Sequence, residues 1–190
     1  MRLFLDRLYA GAFALGAGCL GLIALLVLAQ IAGRLIDRVL IWAGLPVLGL
    51  AIPSIAEIGA FLFVSAVFLA MAGTLRTGGH VRVTLAAQRL PEGAARGLGV
   101  AVIAVALALG LWATWNAIGM VRDSLRFGDV SYGMIPIPLA VPQGVMAAGL
   151  ALFCVALVDE GWAVLRGRTP AYRAAEAASE VAGDAGERGD

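Results

Sequence analysis

The sequence contains no lysine and only one histidine, so its 14 basic residues are all arginines. Four long stretches lack Asp, Glu, Lys, Arg and His altogether, namely 8–33, 58–75, 97–121 and 130–158. The hydrocarbon core of a bilayer is about 30 Å thick, and about 20 helical residues cross it. The missing charges therefore indicate that each stretch spans a membrane.

The composition agrees with this pattern, since 61% of the residues are hydrophobic, 14% are charged and the mean hydropathy is +0.92. A water-soluble fold of 190 residues has too little interior to bury so many apolar side chains. The apolar runs are unbroken rather than alternating, which favours helices over a membrane β-barrel. The predicted fold class is all-α, a polytopic membrane protein with four transmembrane helices in a lipid bilayer.

The predicted organisation is a four-helix membrane domain over 1–165 and a flexible cytoplasmic tail over 166–190, where Ala, Gly, Glu and Arg dominate. The first apolar run is longer than a signal-peptide core of about 7–15 residues and lacks a small-residue cleavage site, so we expect it to remain as a span. The predicted spans are about 8–33, 55–75, 98–121 and 135–158.

The segment over 34–44, just after the first span, is amphipathic. Arg34, Asp37 and Arg38 share one helical face, and apolar residues occupy the other. Prolines and glycines between 44 and 53 disfavour a fifth span, which would also move the arginine-rich second loop to the outside. We therefore predict an interfacial amphipathic helix on the outer membrane surface.

Arginine alone sets the predicted orientation. With four spans, nine arginines lie on the side of the N-terminus, the second loop and the C-terminal flank. The opposite side has only Arg34 and Arg38 in the first loop and Arg122 and Arg126 in the third. Because basic residues are enriched on the cytoplasmic side, we expect both termini to be cytoplasmic and these four arginines to face outward.

Groups that could carry enzymatic chemistry are scarce. Cys19 and Cys154 lie inside apolar runs, and no second histidine accompanies His80, so no metal site is expected. The sequence has no phosphate-binding glycine loop, no Ser/His/Asp set and no paired carboxylates. We therefore expect no enzymatic activity, no cofactor and no nucleic-acid partner.

Glu57 lies at the predicted outer end of the second span, three residues after Ser54. This spacing is that of a capping box, which closes a helix N-terminus. Ionisable residues at membrane spans also mark ion pathways and protein contacts. Three roles for Glu57 therefore stay open, namely helix capping, contact with a partner subunit, and ion or proton transfer.

His80 stands in a turn after the second span, between Gly79 and Arg82. The preceding glycines permit a tight exit from the helix. His80 is either a loop residue in water or at the headgroups, or a hydrogen-bonding anchor that fixes this loop against a partner.

Trp112, Trp115 and Asn116 lie in the third span, deeper or more polar than an interfacial aromatic belt requires. They are candidates for a protein contact. Small residues at four-residue spacing indicate helix contact faces, although the abundance of Ala and Gly in the chain explains them equally well. These stripes are Ala10, Ala14 and Gly18 in the first span, Ala106, Gly110 and Thr114 in the third, and Gly144 and Ala148 in the fourth.

Several short motifs occur in a characteristic order: Glu57-Ile58-Gly59, Gly79-His80-Val81-Arg82-Val83, Arg89-Leu90-Pro91, and Gly128-Asp129-Val130-Ser131 followed by Ile135-Pro136-Ile137-Pro138. Over 7–166 the chain resembles the small membrane subunit (DctQ type) of tripartite ATP-independent periplasmic (TRAP) transporters. The family pattern often has an acidic residue shortly after the histidine turn, where this chain has Thr84.

The resemblance implies four spans in a bacterial inner membrane and two partners. One is a much larger membrane subunit that carries substrate and sodium, and the other is a periplasmic substrate-binding protein that delivers an organic acid. The small subunit is similar to a brace for the large one and helps to dock the binding protein. Glu57, His80 and Arg82 would then order the ends of the second span, and the four outward arginines would face the binding protein.

Two other functions fit the residues without the resemblance. In the first, the chain would be an autonomous small proton-coupled transporter that uses Glu57. In the second, it would be a structural membrane anchor of another complex. The residues that contact a solute would lie in other subunits of a TRAP system, so sugar acids, dicarboxylates, keto acids and sulfonates all remain open.

Overall fold

A computed structural model describes residues 2–76 and 91–166, which form four α-helices. The helices are α1 (Arg2–Trp42), α2 (Ile55–Arg76), α3 (Glu92–Phe127) and α4 (Ala140–Leu165). Each is long and apolar enough to cross a membrane. In a long apolar segment only the helix satisfies every backbone N–H and C=O internally. The predicted all-α fold with four spanning helices is confirmed.

The first helix is longer than predicted. Residues 34–42 are the last turns of α1, which continues without a break to Trp42. The prediction of a separate interfacial helix over 34–44 is therefore wrong. No proline interrupts this part of the sequence, and the helix ends only at Gly44, which has φ 69°. There Gly44 N–H donates to the Ile41 carbonyl and Leu45 N–H to the Leu40 carbonyl, the two bonds of a Schellman motif.

The fourth helix begins at Ala140, five residues after its predicted start at 135. The segment before it folds back on the start of the same connection, just after α3, where Val130 and Pro138 form an antiparallel bridge. Two prolines in this segment, Pro136 and Pro138, lack the N–H that a helix interior needs.

The helices pack in the order α1, α2, α4, α3, and each contacts its neighbour in this row. One buried cluster joins α1, α2 and α4. Its members are Tyr9, Ala72, Leu75, Ala156 and Leu157. A second cluster joins α3 to α4 through Ala117, Ala147 and Leu150. The α4 helix is therefore the most enclosed of the four, and α1 and α3 expose most of their apolar surface.

Close packing depends on glycine where α4 crosses α2. A Cβ at Gly149 would lie 2.5 Å from the carbonyl oxygen of Phe68, so only glycine fits without displacing the backbone. The predicted stripe in α3 is partly confirmed, because Gly110 packs against the Cys154 sulfur. The predicted stripe in α1 makes no contact within the described bundle, since Ala10, Ala14 and Gly18 are exposed. The buried residues of α1 near this stripe are Tyr9, Ala12 and Gly16.

The chain reverses twice at one end of this bundle, where α1 and α3 end and α2 and α4 begin. We call this the connector end. The first connector comprises residues 43–54 and the second comprises residues 128–139.

Candidate functional site

The first connector is tied to α1 by the carboxylate of Asp37. One carboxylate oxygen accepts the backbone N–H of Leu48 at 3.0 Å and of Gly49 at 3.3 Å. The other accepts the N–H of Leu50 at 3.3 Å. Hydrogen bonds to an ionised acceptor are stronger than neutral ones, so a single side chain holds three successive residues of the connector.

A second anchor lies two helical turns earlier in α1. The Ile52 N–H donates to the side-chain oxygen of Gln30 at 2.7 Å, and Gln30 is buried. Between the two anchors, a Cβ at Gly33 would lie 2.8 Å from the Leu50 carbonyl oxygen. Positions 30, 33 and 37 share one helical face, so the connector runs back along a single groove of α1.

This arrangement changes the role expected for Asp37. The sequence placed it with Arg34 and Arg38 on a polar face toward water. In the structure both arginines are exposed, whereas Asp37 is half-buried beneath the connector. The backbone donors of a loop without regular structure need partners, and an aspartate at this position supplies them.

The two connectors meet at Ser54. The Ile135 N–H donates to the Ser54 hydroxyl at 3.1 Å, across 81 residues of sequence. Ser54 adopts φ 55°, and its carbonyl oxygen accepts the N–H groups of Glu57 and Ile58, each at 3.0 Å. The predicted capping box is therefore wrong in its bonds, because the Ser54 hydroxyl is used by the second connector and not by the helix.

Glu57 lies at this junction, one turn into α2. Its Oε2 atom is buried and has no hydrogen-bond partner among the described residues. Gly133 of the second connector packs directly against this carboxylate, and a Cβ at Gly133 would also lie 2.8 Å from the Ser54 hydroxyl. Ser54, Glu57 and Gly133 therefore form one tightly packed contact between the connectors.

The second connector is held in shape by Ser131, which is buried. The Ser131 hydroxyl donates to the Ile135 carbonyl at 3.2 Å and accepts the Ile137 N–H at 3.1 Å. The Ser131 N–H donates to the Ile137 carbonyl at 2.9 Å, and the Leu139 N–H donates to the Asp129 carbonyl at 3.0 Å. These bonds fold the connector back on itself and present Ile135 to Ser54.

Trp112, Trp115 and Asn116 lie on the outward side of α3. Trp112 and Trp115 are exposed, and the Asn116 amide donates to the Trp112 carbonyl at 2.7 Å. The side chains contribute to the outer surface of the bundle, where lipid or another protein would cover them.

All four arginines predicted to face outward are exposed in the structure and lie toward the connector end. They are Arg34 and Arg38 on α1, and Arg122 and Arg126 on α3. The Arg126 guanidinium lies 5.7 Å from the centre of the Phe127 ring. The connector end therefore presents four arginines together with apolar side chains, and the exposed Asp123 and Asp129 lie beside the arginines of α3.

Gly79, His80 and Arg82 lie outside the described residues, as does the tail after Arg166. The turn predicted around His80 and the flexibility predicted for the tail remain predictions.

Sequence reasoning missed several buried polar residues. Glu160 in α4 is only 2% exposed, and its position after the uncharged run 130–158 did not single it out. It follows the core residue Ala156 by one helical turn, so its face could have been predicted from the spacing of small residues. Gln30 was missed because an amide carries no charge and did not interrupt the apolar run.

The described residues contain no group of three or more His, Cys, Asp or Glu side chains that could hold a metal ion. The side chains of Asp37, Gln30, Ser54 and Ser131 bind the chain's own backbone instead. The connector end is therefore suited to holding a fixed shape and to contacting another molecule.

Comparison with known families matches residues 23–167 to "Tripartite ATP-independent periplasmic transporters, DctQ component". The matched region includes both connectors and all the anchors described above. The comparison with curated proteins found no match, and neither did the comparison with solved structures. Because the family match extends over most of a chain with four spanning helices, this protein belongs to the DctQ family, and it is a multi-pass membrane component of a TRAP transporter rather than an enzyme.

Proposed function

We propose that this chain braces the large, sodium-coupled membrane subunit of a TRAP transporter and helps to dock a periplasmic binding protein during uptake of an organic acid. The observation that carries this proposal is the double anchoring of the connector end. Asp37 and Gln30 tie the first connector to α1, and Ser54 ties the second connector to the first. A bracing subunit needs this kind of fixed shape, because a subunit that deforms together with the large subunit cannot keep the large subunit in position.

Glu57 is poorly suited to the alternative role of proton carrier. A carrier group must exchange protons with both sides of the membrane in turn. Glu57 lies at the connector end of α2, and its Oε2 atom is packed against Gly133. This placement favours a structural role for Glu57 at the junction of the connectors.

Docking of the binding protein is assigned to the four exposed arginines at the connector end. A partner that arrives and leaves in each transport cycle is best attracted by exposed charge, which speeds association without requiring a dry interface. Arg34, Arg38, Arg122 and Arg126 are exposed and lie on the side that the arginine distribution predicts to be periplasmic.

The proposed orientation in the inner membrane, with both termini cytoplasmic, can be tested independently. Alkaline phosphatase is active only in the periplasm. Fused within the first connector it should therefore be active, and fused after Arg166 it should be inactive. The reverse pattern would contradict both the orientation and the docking role of the arginines.

Co-purification tests the bracing role. The tagged chain is expressed with the membrane protein and the binding protein encoded beside it, and the complex is isolated in mild detergent. We expect a polytopic protein of about a dozen spans to co-purify at constant ratio, as the family resemblance implies. Recovery of the chain alone from the co-expressing cells would contradict the proposal and favour an autonomous carrier or an unrelated anchor.

A further inference from the structure

The end of α1 extends well beyond the start of α2 at the connector end. The bond between Gln30 and Ile52 places residue 30 beside the start of α2, which begins at Ile55. The helix then continues from residue 31 to Trp42, a distance of about 18 Å at 1.5 Å per residue. The first connector returns along the same stretch. We call residues 31–54 the extension hairpin.

The charges at the ends of α2 locate the bilayer relative to this hairpin. Residues 58–75 between Glu57 and Arg76 are uncharged and span about 27 Å, close to the hydrocarbon thickness of about 30 Å. The level of Glu57 therefore marks one edge of the hydrocarbon core. Since the headgroup layer adds only about 6 Å on each side, the tip of the extension hairpin lies beyond the lipid.

The tip is nevertheless apolar, and the bundle does not cover it. Trp42 is 84% exposed and Leu48 is 66% exposed. The other exposed apolar residues of the tip are Val39, Ile41, Leu45 and Val47. Contiguous apolar patches outside the membrane mark protein contacts, because monomeric proteins seldom leave them in water.

The backbone of the extension hairpin is held in place while its apolar side chains point outward. The N–H groups at 48–50 and at Ile52 are bonded to Asp37 and Gln30. A surface that is already ordered loses little conformational entropy when a partner binds. The extension hairpin therefore has the properties of a preformed binding element.

We propose that the extension hairpin is the docking surface for the periplasmic side of the large membrane subunit. The inference rests on the proposed function, and it assigns the contact to one named segment. Permanent interfaces are more apolar than those of partners that separate, so an apolar tip fits the subunit that stays bound. The binding protein must leave in each cycle and is better served by the exposed arginines.

The tip of the extension hairpin is uncharged, since residues 39–54 contain no acidic or basic side chain. The complementary surface of the large subunit is therefore apolar. Arg34 and Arg38 lie nearer the base of the hairpin and are exposed, so they remain accessible to the binding protein. A second copy of this chain would bring four arginines together, which disfavours a dimer through this surface.

Photo-crosslinking identifies the occupant directly. A photoreactive amino acid is placed at Trp42 or Val47 in the full complex, in native membranes, with and without the binding protein. We expect one crosslinked product, with the large subunit, and the same yield in both conditions. A product with the binding protein alone, with a second copy of this chain or with lipid alone would overturn the proposal.

A paired substitution measures the contribution of the tip. Val47→Asn with Leu48→Asn should reduce co-purified large subunit by at least about tenfold, because two apolar contacts are lost. The thermal stability of the isolated variant should match the unsubstituted chain, since both side chains are exposed. The matched control is Tyr132→Asn with Met134→Asn, which removes two even more exposed apolar side chains from the second connector.

Retention of the large subunit by the Val47 and Leu48 variant would overturn the assignment, as would equal loss from the control pair. These outcomes are separate from failure of the proposed function. If the proposed function itself were wrong, the unsubstituted chain would not co-purify with the large subunit.

Discussion

The backbone N–H of Ile135 and the hydroxyl of Ser54 form a hydrogen bond of 3.1 Å that joins the two connectors of the bundle. Ser54 precedes α2, and Ile135 lies just before α4. The bond therefore fixes the starting points of the two helices that occupy the middle of the row. Through Ser54 and the residues beside it, the second connector is linked to the end of α1.

Replacement of Ser54 by alanine should destabilise the protein by about 1 kcal/mol, because the Ile135 N–H loses its partner. The backbone strain at φ 55° is the same for serine and alanine, so it does not enter the comparison. Ser65→Ala is the control, since the Ser65 hydroxyl donates only to the Phe61 carbonyl of its own helix. Thermal unfolding in detergent measures both, and equal melting temperatures would contradict the role of Ser54.

Gly133→Ala should destabilise the connector junction by about 1–3 kcal/mol, because the new methyl group meets the Glu57 carboxylate. Glu57→Ala removes that obstacle, so the double variant should be less destabilised than the sum of the single ones. Gly97→Ala in α3 has open space around it and serves as the control. Strict additivity of the Gly133 and Glu57 substitutions would show that the two residues are not in contact.

Asp37→Ala should release the first connector while the transmembrane helices remain folded. Three backbone N–H groups lose one shared acceptor, at a cost of about 2 kcal/mol. Hydrogen exchange at residues 48–50 should accelerate by at least about tenfold, whereas exchange within α4 should stay unchanged. Asp123→Ala, at an exposed position on α3, should leave both regions as they are. Unaltered exchange at 48–50 would contradict the anchoring role.

Neutralising the four outward arginines to glutamine should weaken docking of the binding protein without releasing the large subunit. Exposed charges act mainly on association, and their effect falls as salt is added. Uptake by the reconstituted complex should need more binding protein at low salt, and the difference should diminish at high salt. Arg7→Gln, exposed at the opposite end of α1, is the control. A salt-independent defect, or an equal defect from Arg7→Gln, would contradict the assignment.

The number and type of helices were predictable because each apolar run has only one way to satisfy its backbone in lipid. The end of α1 was not, since the polar face of Arg34, Asp37 and Arg38 gave the pattern of a surface helix. That pattern shows which residues share a helical face. It does not show whether this segment is a separate helix or a continuation of the first span. Only the hydrogen bonds of the connector show what Asp37 contacts.

Only part of the candidate site was singled out from the sequence, and its contacts were not predictable. Ser54 and Glu57 were singled out for a capping box, and their actual neighbours, Gly133 and Ile135, come from a segment about 80 residues away. No local spacing rule reports such a pairing. Gln30 was missed for a different reason, because a buried amide in an apolar helix has no periodic signature of its own.

Uptake by proteoliposomes tests the central claim most directly. The chain is reconstituted alone, the large subunit alone, and the two together, each with the binding protein and an imposed sodium gradient. The bracing role predicts accumulation of solute only when both membrane components are present. Gradient-driven accumulation by the isolated chain, or full activity of the large subunit without it, would contradict that role.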